Sequence, residues 1–530
     1  MSIGEAGGPV AQTEAGLVQG VGCEHRPVHV FKGIPFARPP LGALRWQPPQ
    51  PVVPWDGIRL AKEAGPACVQ TATPPQAFYT VDQSLMSEDC LYLNIWAPED
   101  AAGLPVMVWI HGGALIWGAG SDPWYDGTAL AEKGVVVVSF NYRLGILGYF
   151  SHPELSAESP HCASGNYGTL DQIAALQWVQ RNIAAFGGDP QRVTLFGESA
   201  GALSITHLMA SPLATGLFHG AIAQSAYLPA MPELRSKRFY PSAESTGAKF
   251  GEDHDAPTLA DLRAMPAEDL IEASATSYGN VGGAMAVVDG WVQHRQIFET
   301  FEQGLQAKVP FIASFNSGEQ RALDPGTLPP FPSDPVDFET RIKEAYGDLA
   351  PEFLRLYPAS SVTDSSYDAV RDAYYGWAVE HILRHHSAIT PSTWMYYFDH
   401  IYPSANERGL GAFHASDIFF TFGQIGPDTQ VPPNWPSPAQ GPDDVRMART
   451  MMDYFVAFAA TGKPDVAEYP LWPRFDRPGQ ACLVFRDGEA LPSTHILPGM
   501  FELFDAHFAR MRKAGVAWTW ENMGTAAVPI

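Results

Sequence analysis

A serine at a sharp strand-to-helix turn can act as a nucleophile, and this chain offers one. The segment Thr194-Leu-Phe-Gly-Glu-Ser-Ala-Gly201 contains G-x-S-x-G at Gly197, Ser199 and Gly201, between an apolar run and an Ala-rich helical start. Only small neighbours fit around so tight a turn. The serine then stands at a helix N-terminus, where backbone N–H groups can stabilise an anion. A second element points the same way: Val106–Ile110 runs into His111-Gly-Gly-Ala114, followed by Leu115-Ile-Trp-Gly118. A glycine-rich loop leaving a strand lets N–H groups converge on a developing oxyanion, each donor being worth about 3 kcal/mol in the transition state.

Such a serine needs a base, and the base an orienting acid; on sheets of this kind the chain order is Ser, then Asp/Glu, then His. Glu319 lies in Asn316-Ser-Gly-Glu-Gln320, just past the apolar run Val309–Phe315, where the loop at a strand's C-terminal end would place an acid. Asp324 on the same loop and Asp399 after Met395–Phe398 are rivals. The later histidines are His381, His385, His386, His400, His414, His495 and His507. The first three fall in a helical stretch and are expected on a solvated face. His414, in Gly411-Ala-Phe-His-Ala-Ser-Asp417, has the small neighbours that let a side chain project into a cleft; a structural histidine is the alternative there.

The elements that must position these residues follow a strand–loop–helix rhythm. Leu91–Ala97, Val106–Ile110, Val135–Asn141, Val193–Phe196, Gly220–Gln224 and Val309–Phe315 read as strands, and Leu170–Ala185 has helical spacing. Short buried strands alternating with helices predict an α/β protein with a largely parallel sheet. Residues 13–60 read as small edge strands, and Pro427–Pro442 as a loop. Residues 231–285 and 333–390 are polar, helix-leaning insertions expected to cover one end of the sheet as cap or regulatory subdomains of a single catalytic domain, residues 1–530.

Composition excludes several classes. Of 530 residues, 57 are Asp or Glu against 33 Lys or Arg, a net charge of −24, which argues against nucleic acid as a partner. The 49 glycines and 47 prolines imply many ordered loops, and 46% hydrophobic content suffices for a large core. No apolar stretch approaches the roughly 20 residues of a membrane span. No basic segment followed by an apolar one opens the chain, so a cytoplasmic location is favoured, with a secreted or periplasmic one if a leader was removed. No Asn-x-Ser/Thr acceptor occurs, which favours a bacterial source. The five cysteines show no C-x-x-C or Cys/His cluster at zinc spacing.

Further segments resemble the carboxylesterase type B family, which includes the cholinesterases, and most of all its bacterial para-nitrobenzyl esterases. Phe31-Lys-Gly-Ile-Pro-Phe-Ala37, Ser87-Glu-Asp-Cys-Leu-Tyr-Leu-Asn94, Phe140-Asn-Tyr-Arg-Leu-Gly145, Gly187–Gly201 and Trp472-Pro473 match the family's ordered motifs over nearly the whole chain. The resemblance implies an α/β-hydrolase fold and a Ser199–Glu319–His414 triad. It also implies oxyanion donors at the N–H groups of Gly113, Ala114 and Ala200, and a disulfide between Cys68 and Cys90. The acid loop departs from the family's Asp-Glu-Gly, reading Gly318-Glu319-Gln320 here.

The expected activity is hydrolysis of a small-molecule carboxylic ester through an acyl-enzyme on Ser199, with no metal or organic cofactor. Carbamate, amide or lipase-type hydrolysis by the same triad is the alternative. A non-catalytic, cholinesterase-like binding protein is a further one, although all three triad residues are present. Glu198 is expected either to stabilise protonated His414 or to be a buried hydrogen-bonded carboxyl. Trp117, Tyr125, Phe419 and Phe420 are candidate pocket residues. A monomer or small homo-oligomer is expected, and substrate preference is expected to depend on residues 231–285 and 333–425.

Overall fold

The structure is a computed structural model describing all residues except 1, 4–6, 74–75, 80–84, 278–284, 323–330, 477, 520–521, 528 and 530. Eleven strands form the central sheet: β1 (Val21–Gly22), β2 (Val28–Pro35), β3 (Tyr92–Pro98), β4 (Leu104–Ile110), β5 (Val136–Phe140), β6 (Gly188–Glu198), β7 (Gly220–Gln224), β8 (Phe311–Asn316), β9 (Thr393–Phe398), β10 (Cys482–Arg486) and β11 (Glu489–Ser493). Their spatial order is β11-β10-β9-β8-β7-β6-β4-β5-β3-β2-β1. The run from β5 through β4 and β6 to β10 is parallel, while β1–β3 and β11 join antiparallel at the two edges. The largely parallel α/β sheet expected from the sequence is therefore present, with antiparallel margins.

Strand alternation divides the core in two. Val106, Val108 and Ile110 of β4 pack into one apolar cluster, whereas Met107 and Trp109 pack into the other, on the opposite face. Both faces are buried, which is why the central strands read as unbroken apolar runs rather than alternating ones. The helices Tyr167–Asn182 and Ala200–Ala210 cover the first face through Ile173, Leu176, Leu203 and Leu208. The helix Pro442–Thr461 covers the second through Met447, Met451 and Phe455, so Pro442 closes the expected loop and opens a helix.

Two sequence motifs turn out to be braces. Arg143 of the Asn-Tyr-Arg-Leu-Gly segment holds Asp171 of the helix Tyr167–Asn182 through two bonds of 2.7 Å, both side chains buried. Arg45 grips Glu88 of the Ser-Glu-Asp-Cys segment at 2.6 and 2.7 Å. Paired and bidentate, the buried Arg143–Asp171 charges and the buried Arg45 avoid the several kcal/mol cost of an unpaired buried ion. The Cys68–Cys90 bridge expected by resemblance is not formed: both are free, buried thiols. Packing has brought them together, and the hydrogen bond with Cys68, then burial, holds the Cys90 thiol well above its ordinary value.

The inserted segments sit between neighbouring strands. Helices Ala243–Asp253, Leu259–Ala264 and Ala267–Ser277 lie between β7 and β8, and helices Pro335–Tyr346, Ala350–Leu356, Val362–Arg371 and Trp377–Ser387 between β8 and β9. The last two are joined by a π-helical turn, Asp372–Gly376. His381 and His386, expected on a solvated face, are buried, and His385 is half-buried. Trp377–Ser387 is wedged between β9 and the helices Ile297–Glu302 and Met500–Ala514, so even its polar positions are enclosed.

Candidate active site

Strands β4, β6, β7 and β8 all end on one edge of the sheet, and the chemistry-bearing residues follow directly. Gly197 of β6 pairs with Ile110, the last residue of β4, and Glu198 with Gln224, the last of β7. Ser199 comes next, at φ 55° and ψ −120°, and the helix Ala200–Ala210 starts immediately after it. A non-glycine residue in this backbone region is strained, and the surroundings hold it there. A Cβ at Gly201 would run into the Ile110 carbonyl oxygen, and one at Gly197 would lie 2.7 Å from the same atom. The two glycines let strand and helix close on each other around the serine.

The loop after β4 meets Ser199 from the side. A Cβ on Gly112 would sit 3.3 Å from that of Ser199, and Gly113 at φ 101° packs against the Trp117 carbonyl. Ala114 and Leu115 also have positive φ, 53° and 63°, which turns successive N–H groups inward. His111 Nδ1–H donates to Gly112 O at 2.8 Å, Tyr142 OH donates to His111 O at 2.9 Å, and Gln70 pairs with Gly118 at 2.7 and 3.1 Å. Burial pushes His111 down to about 4, so it stays neutral and structural. Among the described residues, the N–H groups of Gly113 and Ala114 have no protein acceptor.

On the other side, Ser199 Oγ lies 2.9 Å from His414 Nε2, and His414 Nδ1 lies 2.5 Å from Glu319 Oε2. A carboxylate only accepts, so Nδ1 carries the proton and Nε2 is free to take one from the serine. Glu319 is fully buried and its second oxygen accepts from Asn316 N at 2.7 Å. The departure at Gly318 has a visible cause: Gly318 N donates to Ala412 O at 2.9 Å, and a Cβ would crowd the Leu410 carbonyl at 2.5 Å. The glycine lets the acid loop and the histidine loop touch backbone to backbone. Asp399 is elsewhere, paired with Arg486 at 2.6 Å, and Asp324 falls outside the described residues.

Glu198 Oε1 faces the same His414 nitrogen at 3.2 Å. Burial lifts the Glu198 carboxyl far above the usual range, against the opposing pull of His414. Burial disfavours protonated His414, but Glu198 and Glu319 outweigh it and hold the imidazole well above its ordinary value.

The candidate pocket residues divide. Trp117 sits at the site with its ring 6.3 Å from that of Tyr79. Phe419 and Phe420 are core: the short helix Ile418–Phe422 turns them onto Trp435 and Phe398. Tyr125 is buried between Trp109 and Phe422, and that burial, with Asp122 and more weakly Glu198, holds its phenol well above the ordinary value.

Sequence reading missed other neighbours of His414. Tyr79 OH donates to His414 O at 2.9 Å, and the Tyr375 ring lies 5.3 Å from the imidazole, carried there by the π-helical turn. Asp417 is fully buried, accepting from Gln224 at 2.7 Å, Tyr396 at 3.1 Å and Asn316 at 3.2 Å. Asp417 stands in the same small-residue loop as His414, the one signal available for it. Tyr79 and Tyr375 carry none.

Residues 7–490 match the model of the carboxylesterase family. The fumonisin B1 esterase of Sphingopyxis macrogoltabida is 38% identical over 478 residues, covering 89% of this chain and 85% of that protein. A human cocaine esterase is 33% identical over 517 residues, covering 90% and 88%. Among solved structures, a PNB esterase superposes with a TM-score of 0.79 at 30% identity over 93% of this chain and 99% of that one. A Geobacillus stearothermophilus carboxylesterase does so with 0.78 at 32% identity and the same coverage. The mostly parallel sheet is thus that of an α/β-hydrolase, and the resemblance read from the ordered motifs holds along the chain. With its serine at the strand-to-helix turn, this protein belongs to the carboxylesterase family and is a carboxylic ester hydrolase.

Proposed function

We propose that Ser199, His414 and Glu319 carry out ester hydrolysis in two acyl-transfer steps. The observation that carries this reading is the unbroken hydrogen-bond chain Ser199 Oγ–His414 Nε2–His414 Nδ1–Glu319 Oε2 at 2.9 and 2.5 Å. As Ser199 Oγ attacks the ester carbonyl, its proton passes to His414 Nε2. Glu319 keeps the imidazole in the receptive tautomer and offsets the charge that forms on it. The N–H groups of Gly113, Ala114 and Ala200 stabilise the tetrahedral oxyanion, and His414 gives its proton to the departing alcohol. Water then attacks the acyl-enzyme by the same path. Glu198, 3.2 Å from His414 Nε2, adds to the stabilisation of the imidazolium. No metal or organic cofactor enters these steps.

The preferred substrates are small, neutral esters with a flat or apolar portion, since Tyr79 and Tyr375 pack their rings against the His414 imidazole and Trp117 packs against Tyr79. The helices within 231–285 and 333–390 form the cover that sets chain-length preference on a single catalytic domain, working as a monomer or small homo-oligomer. Among the described residues no helix is long and apolar enough to cross a membrane. An organophosphate should label Ser199 stoichiometrically, and Ser199→Ala should lose at least about 10³-fold in kcat while still folding. Full esterase activity in that variant would end the reading. A chain-length series of para-nitrophenyl esters, with one carbamate and one bulky polyester fragment, separates short-chain esterase from lipase-type and carbamate-hydrolysing alternatives.

A further inference from the structure

Away from the active site, the helix Trp377–Ser387 carries His381 and His385 one turn apart, with ring centroids 4.7 Å from each other. Residues at i and i+4 share one helix face, the spacing by which two histidines reach a single metal ion. Facing them is Glu302, the last residue of the helix Ile297–Glu302, with Oε1 at 3.6 Å from His381 Nε2. One ligand atom from each of the three residues lies within 4.8 Å of the others. A tetrahedral ion with ligands 2.0–2.1 Å away needs roughly 3.3 Å between ligand atoms, a closure within reach of small side-chain rotations.

A second observation is independent of that spacing. His381 is only 3% exposed, yet among the described residues its Nε2 has no hydrogen-bond partner, with Glu302 Oε1 the nearest carboxylate oxygen facing it at 3.6 Å. Buried polar atoms are nearly always satisfied, so an orphan ring nitrogen aimed into a carboxylate–imidazole cluster calls for a ligand. The cluster also opens on a cleft of about 940 Å³ lined by Glu302, His381, His385 and Asp505, which admits the ion and a water as fourth ligand.

We infer that Glu302, His381 and His385 form a site for a divalent transition-metal cation, zinc in the first instance, that ties the helices Ile297–Glu302 and Trp377–Ser387 together. The surrounding charge permits it. Arg384 pairs with Glu380 and Asp505, and Arg512 holds both oxygens of Glu302 at 2.6 and 3.1 Å, so two guanidiniums face three carboxylates and Arg512 yields one Glu302 oxygen to the ion. Arg384 Nη2 now donates to His381 Nδ1 at 3.2 Å, which leaves the ring proton on Nε2. Metal binding moves that proton to Nδ1, which breaks the bond from Arg384 and turns the new N–H toward Asp505 Oδ1, 3.9 Å away, as acceptor. A carboxylate behind a ligating imidazole is the usual outer partner of zinc-bound histidine. Arg384 retains Asp505 through its contacts of 2.8 and 3.2 Å.

The test uses the untagged, chelator-stripped full chain titrated with zinc chloride by calorimetry, with cobalt(II) as a visible reporter of tetrahedral coordination. The expected result is one equivalent of zinc, a higher Tm with zinc present, and a tetrahedral cobalt spectrum. His385→Ala, at a half-buried position outside the esterase machinery, should keep esterase activity. It should bind zinc at least about tenfold more weakly, the effect expected for loss of a metal-affinity group, and lose the Tm rise. Glu302→Gln gives a second variant of unchanged size and should also weaken binding. Absence of zinc binding by the parent chain would overturn the site, as would equal affinity and stoichiometry in parent and His385→Ala. Neither outcome bears on the Ser199 reading, which the organophosphate label tests separately.

Discussion

The two sides of the active site are held by different means. On the nucleophile side, Gly112, Gly113, Gly197 and Gly201 allow backbone to approach backbone, and the positions of Ser199 and the loop N–H groups follow from local chain geometry. On the histidine side, His414 is held by side chains reaching from far along the chain: Glu319 at Nδ1, Tyr79 at its carbonyl, Asn316 at the neighbouring Phe413 carbonyl and Glu198 beside Nε2. The difference teaches that a site can be rigid through missing side chains in one half and through buried charge and hydrogen bonds in the other. The two halves should therefore fail differently.

The largest effect is expected on the histidine side. Glu319→Gln removes the charge opposite His414 and lets the imidazole adopt the wrong tautomer; kcat should fall by about 10³–10⁴-fold with the fold intact, read by steady-state kinetics alongside circular dichroism. Retention of a tenth of the activity would deny the carboxylate its orienting role. On the glycine side, Gly201→Ala drives a Cβ into the Ile110 carbonyl. The elbow must open, and a displacement of about 1 Å at the serine costs about 10²-fold in rate. Unlike Glu319→Gln, this variant should also lower the Tm, since overpacking costs about 1–3 kcal/mol. An unchanged Tm would mean the two sides are not held so differently.

Smaller effects sharpen the comparison. Glu198→Gln takes away one of the three carboxylates, with Glu319 and Asp417, that raise His414. With less negative charge facing it, the imidazolium becomes less favourable and the pKa falls. The acidic limb of the pH profile of kcat/KM, where the base is lost by protonation, should therefore move to lower pH. The maximal rate should drop by about tenfold, as one charge contact to the imidazolium is lost. A shift to higher pH would contradict the charge assignment. Tyr79→Phe deletes one neutral hydrogen bond to the His414 carbonyl. A loss of about 1 kcal/mol, a several-fold drop in kcat with little change in KM, is the expected outcome in initial-rate measurements.

Legibility follows the same division. The elbow, the glycine-rich loop after β4 and the succession of strands along the chain could be read because each rests on neighbours in the chain: a glycine two residues away, an apolar run before it, a helix start after it. Glu319 and His414 could be narrowed by chain order and by small neighbouring residues, and the family motifs then singled them out. Phe419 and Phe420 could be read as pocket or as core, because an aromatic pair beside the His414 loop looks the same whether it faces substrate or the sheet; the turn of the helix Ile418–Phe422 decides for the core. His381 and His385 were misjudged as solvated because helical periodicity does not reveal that two further helices close over that face.

Local sequence thus determined the strand-to-helix turn, the positive-φ loop and the buried parallel strands, because backbone sterics and burial act over a few residues. Tertiary structure alone decided that Tyr79 and Tyr375 stand against His414, that Asp417 is buried beside it, that Cys68 meets Cys90, and that Glu302 faces the histidine pair. Those contacts join residues tens to hundreds of positions apart, and only closure of the chain around the sheet brings them within hydrogen-bonding reach.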